Sequence, residues 1–194
     1  MKMDKYKIFA LLILGVFYGI YFTKMYIQKK HGIKTNQIGQ RKEKSLHRTE
    51  MFMSAATCSA AAVQLASVLL DLNYAADWLR TCGFVIGIAG DVFFLAAVVC
   101  MKDSWRAGIP KADKTEIVTG GIYSVSRNPA FVGFDLMYLG VLFIYFNIFT
   151  GICTVFAIVM LHLQILQEEK YLERTFGSEY ENYRKKVHRY IGKI

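Results

Sequence analysis

Proline occurs only twice in the 194 residues, and long stretches hold no charge at all. So little proline, with fifteen glycines, excludes a collagen-like or proline-rich disordered chain. Charged residues make up 20%, low for a soluble domain, while 54% are hydrophobic and the mean hydropathy is +0.29. Cysteine is sparse. Cys58, Cys82, Cys100 and Cys153 form no Cys-x-x-Cys or Cys-x-His pattern, which argues against a disulfide framework and a thiolate metal site. His31, His47, His162 and His188 share no ligand spacing, so no metal is expected, and His162 reads as a hydrogen-bonded core residue. There is no GxGxxG or P-loop pattern. The absence of an internal repeat argues against a transporter built from inverted halves.

What is present is apolar sequence in runs as long as a bilayer is thick. Residues 51–70 are twenty uncharged residues, enough to span alone. Residues 81–101 are apolar apart from Asp91. Residues 136–167 are thirty-two uncharged residues. As one helix they would measure about 48 Å against a hydrocarbon core of roughly 30 Å. A hairpin turning at Asn147–Gly151 resolves the excess, because Asn and Gly suit a turn. The expected fold is all-α: one integral membrane domain over 1–194 with five transmembrane helices at about 6–27, 51–70, 81–101, 129–146 and 151–167. The first is expected to be retained, since its apolar stretch is long, no small-residue cleavage site follows, and a basic loop does.

Lys and Arg set the orientation. Residues 24–48 hold eight, 102–128 five and 168–194 seven, against three in 1–7 and one in 71–80. The positive-inside rule puts the amino terminus outside and the carboxyl terminus in the cytoplasm. The net charge of +9 then reflects topology and contact with anionic membrane lipids, and no nucleic-acid partner is expected.

The polar segments 102–128 and 168–194 flank the last hairpin and should meet at one cytoplasmic face, where the chemistry is expected. Gly120-Gly121 can serve as a turn, and Asn128-Pro129 as N-cap and first residue of the fourth span. The free N–H groups of that helix start, beside Arg127, can hold an anion. Glu168-Glu169 is less ordinary. Two carboxylates at the end of the fifth span would oppose the helix macrodipole, so the pair needs a cationic partner or a ligand with donors. Asp91 and Asp135 sit in apolar helices, where a carboxylate is costly. Gly83, Gly87 and Gly90 before Asp91 allow close helix packing, and Asp135 shares the Asn128 face of its helix.

Together Thr115–Tyr123, Arg127–Gly133, Glu168–Glu169 and Phe176–Tyr183 resemble the motifs of the isoprenylcysteine carboxyl methyltransferase family of integral membrane enzymes. The likeness covers roughly residues 75–190, and the length and span count look like a prokaryotic member. It implies a methyltransferase using S-adenosylmethionine, with S-adenosylhomocysteine as product. By position, it places the cofactor contacts on Thr115, Glu116, Ile117, Val118, Tyr123, Asn128, Pro129, Ala130, Phe131 and Glu168. The family's substrate-side arginine falls on Gln164. Three positions depart from the pattern: Asn128 replaces a histidine, Phe131 a tyrosine, and Gln164 that arginine. Glu169, about 100° round the helix from Glu168, should contribute less to cofactor binding.

The implied reaction is methylation of a C-terminal isoprenylcysteine α-carboxylate. No general base is needed, because an α-carboxyl with a pKa near 3.3–3.7 is already ionised at neutral pH. The implied partners are a lipid-like or prenylated acceptor and membrane lipids. Two other readings stay open. One is a methyltransferase of the same superfamily acting on a lipid amine or small thiol. The other is a non-catalytic membrane scaffold.

Overall fold

The computed structural model describes residues 4–33, 35, 38, 44–105 and 117–193. Six α-helices follow one another: α1 Lys5–Lys30, α2 Lys44–Leu69, α3 Asp77–Met101, α4 Pro129–Ile144, α5 Ile148–Phe176 and α6 Ser178–Arg184. Short 3-10 turns lie at Lys102–Ser104 and Gly121–Ser124. Among the described residues there is no strand, only an isolated bridge between Val187 and Lys193. The four cysteines are free and helical.

Four helices, α1, α2, α3 and α5, are long and apolar enough to cross a membrane. The fourth expected span is shorter than the sequence suggests. α4 ends at Ile144, and its 16 residues rise about 24 Å, less than a bilayer core of roughly 30 Å. Its surroundings explain this. Met137, Tyr138, Val141 and Ile144 are fully buried, and α4 packs against α1, α2, α3 and α5. Protein rather than lipid therefore encloses α4, and lipid thickness does not set its length.

The hairpin turn is also tighter than expected. It occupies Tyr145–Asn147, and α5 has begun by Ile148. Asn147 forms a capping box: its Oδ1 accepts from the Phe149 and Thr150 amides, while Thr150 Oγ1 accepts from the Asn147 amide, all at 3.1 Å. Asn147 Nδ2 also donates to Ser67 Oγ and the Leu72 carbonyl, tying the turn to the end of α2. Arg80 closes the same end, donating to Asp4 Oδ2 at 2.6 Å and to the Ile144 carbonyl at 3.1 Å.

α3 and α4 pack through glycines. A Cβ on Gly140 would lie 2.5 Å from Gly87 Cα, and one on Gly90 would lie 2.6 Å from the Met137 amide nitrogen. Backbones this close exclude any side chain at those positions, as the glycine spacing on α3 leads one to expect. α1 lies on α3 through stacked rings, Phe9 on Phe84 and Phe17 on Phe94, with centroids 4.0 and 4.3 Å apart. α2 leans on α5, with Gln64 Nε2 donating to Thr154 Oγ1 and Gln167 Nε2 to Thr49 Oγ1. All five long segments run between the same two ends. One end holds Asp4, Arg80 and Asn147, and the other gathers the segments around Trp105, Asn128 and Glu169.

Candidate active site

The two polar segments do meet. Residues 117–128 and the chain after α5 are joined at one end of the bundle through a single carboxylate. Glu169, only 6% exposed, accepts from Arg127 Nη2 at 3.0 Å and Asn128 Nδ2 at 3.1 Å on Oε1. Its Oε2 accepts from Arg189 Nε at 3.1 Å and Nη2 at 2.9 Å. Arg127 also donates to the Arg184 and Val187 carbonyls, and its amide to the His188 carbonyl. Asn128 Nδ2 reaches the Arg189 carbonyl as well, and the Gly192 amide donates to the Val125 carbonyl. The tail is thus stapled over the start of α4. Asn128 does occupy the N-cap position with Pro129 following, but its amide is used on Glu169 and the tail, and makes no side-chain cap.

One expectation about the acidic pair needs correction. Glu168 and Glu169 do not end their helix, because α5 continues to Phe176. The uncharged run stops at Gln167, but Lys170, Leu172, Glu173 and Arg174 are good helix formers and carry the helix on. The macrodipole therefore does not account for the pair. Glu169 is held by Arg127, Asn128 and Arg189. Its single negative charge is shared between two guanidiniums, Arg127 buried and Arg189 about a third exposed, and losing one partner of a buried ion pair costs about 3–5 kcal/mol.

Glu168 points elsewhere. It accepts from Gln164 Nε2 at 3.1 Å and lines a cavity of about 890 Å³. That cavity is walled mainly by α1, α2 and α4, with Phe94 from α3 and Leu161 from α5; Trp105 and Phe131 lie towards the Glu168 end and Leu11 and Leu65 towards the far end. Among its described lining residues Glu168 is the only charged one. Of the residues expected to touch a cofactor, Ala130 and Phe131 line this cavity with Glu168. Tyr123 is buried nearby. Burial, then the Tyr183 phenol and the Glu168 carboxylate, push its hydroxyl well above the ordinary phenol value. The Tyr123 carbonyl accepts from Tyr183 Oη at 2.6 Å, which fixes its turn. Ile117 packs on a small core of Tyr180, Tyr183 and Val187, and Val118 beside it is half-buried. Pro129 is buried at the first turn of α4. Gln164 is fully buried, and its Oε1 has no hydrogen-bond partner. Thr115 and Glu116 lie outside the described residues.

Asp135 is absent from the cavity's described lining. One further expectation changes. His162 is hydrogen-bonded, but not in the core: its Nδ1 lies 2.5 Å from Tyr190 Oη under the tail. Sequence reasoning missed the cavity walls supplied by α1 and α2, which carry no motif, and it missed Arg189 as a partner of Glu169.

The residues fit a sulfonium methyl donor. Glu168 and Phe131 line the same cavity, and a carboxylate and an aromatic ring are both groups that can hold a cation. Gln164, fully buried, holds the Glu168 carboxylate from behind through its Nε2.

Residues 80–179, just over half of the chain, match the phospholipid methyltransferase family, and the chain belongs to that family. The individual proteins it is similar to share one printed name. It is 24% identical over 168 residues to protein-S-isoprenylcysteine O-methyltransferase B of Arabidopsis thaliana, covering 73% of this chain and 84% of that protein. It is 32% identical over 111 residues to a probable protein-S-isoprenylcysteine O-methyltransferase of Oryza sativa subsp. japonica, covering 55% of this chain and 57% of the rice protein. A 74-residue match, 39% identical, links it to protein-S-isoprenylcysteine O-methyltransferase of Schizosaccharomyces pombe, over 37% of this chain and 30% of the yeast protein.

Proposed function

We propose that this chain is an integral membrane methyltransferase that esterifies the C-terminal α-carboxylate of isoprenylcysteine, with S-adenosylmethionine as methyl donor. It crosses the membrane five times, α4 included, with its carboxyl terminus and donor site on the cytoplasmic side. The observation that carries the reading is the apolar cavity ending at Glu168 and Phe131. An acceptor with a long hydrocarbon tail can lie along α1 and α2 while its head group stands at the polar end.

S-adenosylmethionine supplies, when bound, an electrophilic methyl group on a sulfonium. Glu168, Phe131 and Tyr123 hold and orient the donor end, with Ala130 leaving room beside them and the 115–118 segment and the start of α4 at Asn128-Pro129 completing the pocket. Gln164 stands on the substrate side. The acceptor carboxylate is ionised at neutral pH, so no side chain has to take a proton. What the chain contributes is alignment of the two reactants and exclusion of water by the stapled tail and the apolar wall.

A second reading is an amine head group on a phospholipid. The family description favours it, and so does the absence of a cation among the described lining residues. Methyl transfer from labelled S-adenosylmethionine separates the two. With N-acetyl-S-farnesylcysteine and phosphatidylethanolamine offered together, the proposal expects label in a base-labile ester of the farnesylcysteine. Label confined to a base-stable lipid amine would replace the first reading by the second.

A further inference from the structure

Midway along a mostly apolar cavity, two of its three lining phenols pair with each other. Tyr18 of α1 and Tyr138 of α4 place their hydroxyls 3.5 Å apart, and Tyr138 Oη donates to the Thr57 carbonyl of α2 at 3.3 Å. Both rings line the cavity, so three of its walls are tied together across the space. Tyr138 is fully buried and Tyr18 partly so. On α1 the lining runs from Leu11 to Met25, which puts Tyr18 about 10 Å from either limit at about 1.5 Å per residue. On α2, Thr57 lies about 6 Å from Met53 and about 12 Å from Leu65. Below the pair, away from Glu168, the wall is aliphatic: Leu11, Leu14, Ala61 and Leu65.

We propose that the Tyr18–Tyr138 pair is a crossbar that sets the length of apolar chain the cavity admits. A chain that stops at the bar fits the half beside Glu168 without disturbing a hydrogen bond. A longer chain must push the phenols apart and leave their hydroxyls, and the Thr57 carbonyl's extra bond, unmatched in hydrocarbon, which is unfavourable. The two tyrosines thereby act as specificity residues, remote from the reacting atoms. This rests on a lipid-like acceptor, as proposed above, and holds for either head group.

The test uses the full chain in detergent with N-acetylcysteine thioethers carrying geranyl, farnesyl and geranylgeranyl chains. Trp105 lines the cavity and reports binding by fluorescence, while Trp78, 70% exposed, is replaced by Phe to clear the background. The crossbar predicts that affinity falls from the shorter chains to geranylgeranyl. It predicts that Tyr138→Phe and Tyr18→Phe each raise the geranylgeranyl-to-geranyl affinity ratio by several-fold to about tenfold, as expected when one buried hydroxyl's hydrogen bonding no longer resists the chain. Tyr18→Phe, at the less buried site, keeps the test open if Tyr138→Phe does not fold. An unchanged ratio in folded variants that still bind geranyl would overturn the crossbar and leave the acceptor reading standing. If no thioether bound to protein that still bound S-adenosylhomocysteine, the acceptor reading itself would fall, and the crossbar with it.

Discussion

α3 and α4 touch backbone to backbone, whereas α1 and α2 meet only sparsely and share a cavity. The same residue type occurs on both sides of that contrast. On the seam, a Cβ at Gly140 would sit 2.5 Å from Gly87 Cα. On the cavity side, a Cβ at Gly15 would meet nothing within 4 Å. Glycine therefore marks close approach only where a partner backbone arrives. The difference separates two tasks. The seam and the Glu169 staple hold the start of α4 in a fixed place, while the α1–α2 side leaves room for something apolar to enter. α2 is held by α5, through Gln64 and Gln167, and so does not need α1.

Three substitutions sharpen the contrast, in falling order of effect. Glu169→Ala should destabilise the fold most, by about 3–5 kcal/mol, because Arg127 and Arg189 lose a shared buried partner. Thermal unfolding in detergent measures it, and a shift no larger than that of Glu173→Ala, at an exposed ion pair, would break the account of the staple. Gly140→Ala should cost about 1–3 kcal/mol by forcing α3 and α4 apart. Gly15→Ala should move the other way, stabilising by up to about 1 kcal/mol through helix propensity alone. Equal shifts for the two alanines in the same unfolding experiment would mean that the seam is no tighter than the cavity wall.

The sequence shows some of this plainly and some not at all. The uncharged runs mark α1, α2, α3 and α5, and the polar segments flanking the hairpin announce that they share a face. The end of α5 is hidden, because hydropathy drops at Glu168 while helix formers continue. The length of α4 is hidden too, since burial among four helices cannot be told from burial in lipid. The Glu169 staple joins residues 42 and 20 positions apart, a spacing that no local pattern encodes. The cavity is illegible for a chemical reason: a side chain facing lipid and one facing an apolar cavity have the same composition. Only Ala130, Phe131 and Glu168, at its polar end, carry a motif.

The central claim is that the donor sits at the Glu168 end of the cavity, where the acceptor's head group meets it, while the acceptor's hydrocarbon tail fills the other end, and paired titrations on two variants test it most directly. Glu168→Ala should weaken S-adenosylhomocysteine by about ten- to a hundred-fold, the worth of a hydrogen bond to a charged group at about 1.4 kcal/mol per decade. It should leave N-acetyl-S-farnesylcysteine binding nearly unchanged. Gly15→Leu, which fills open space in the wall without a clash, should do the reverse. If both variants lost the same ligand, or if Glu168→Ala bound S-adenosylhomocysteine as tightly as the parent chain, the assignment of the two ends would be contradicted.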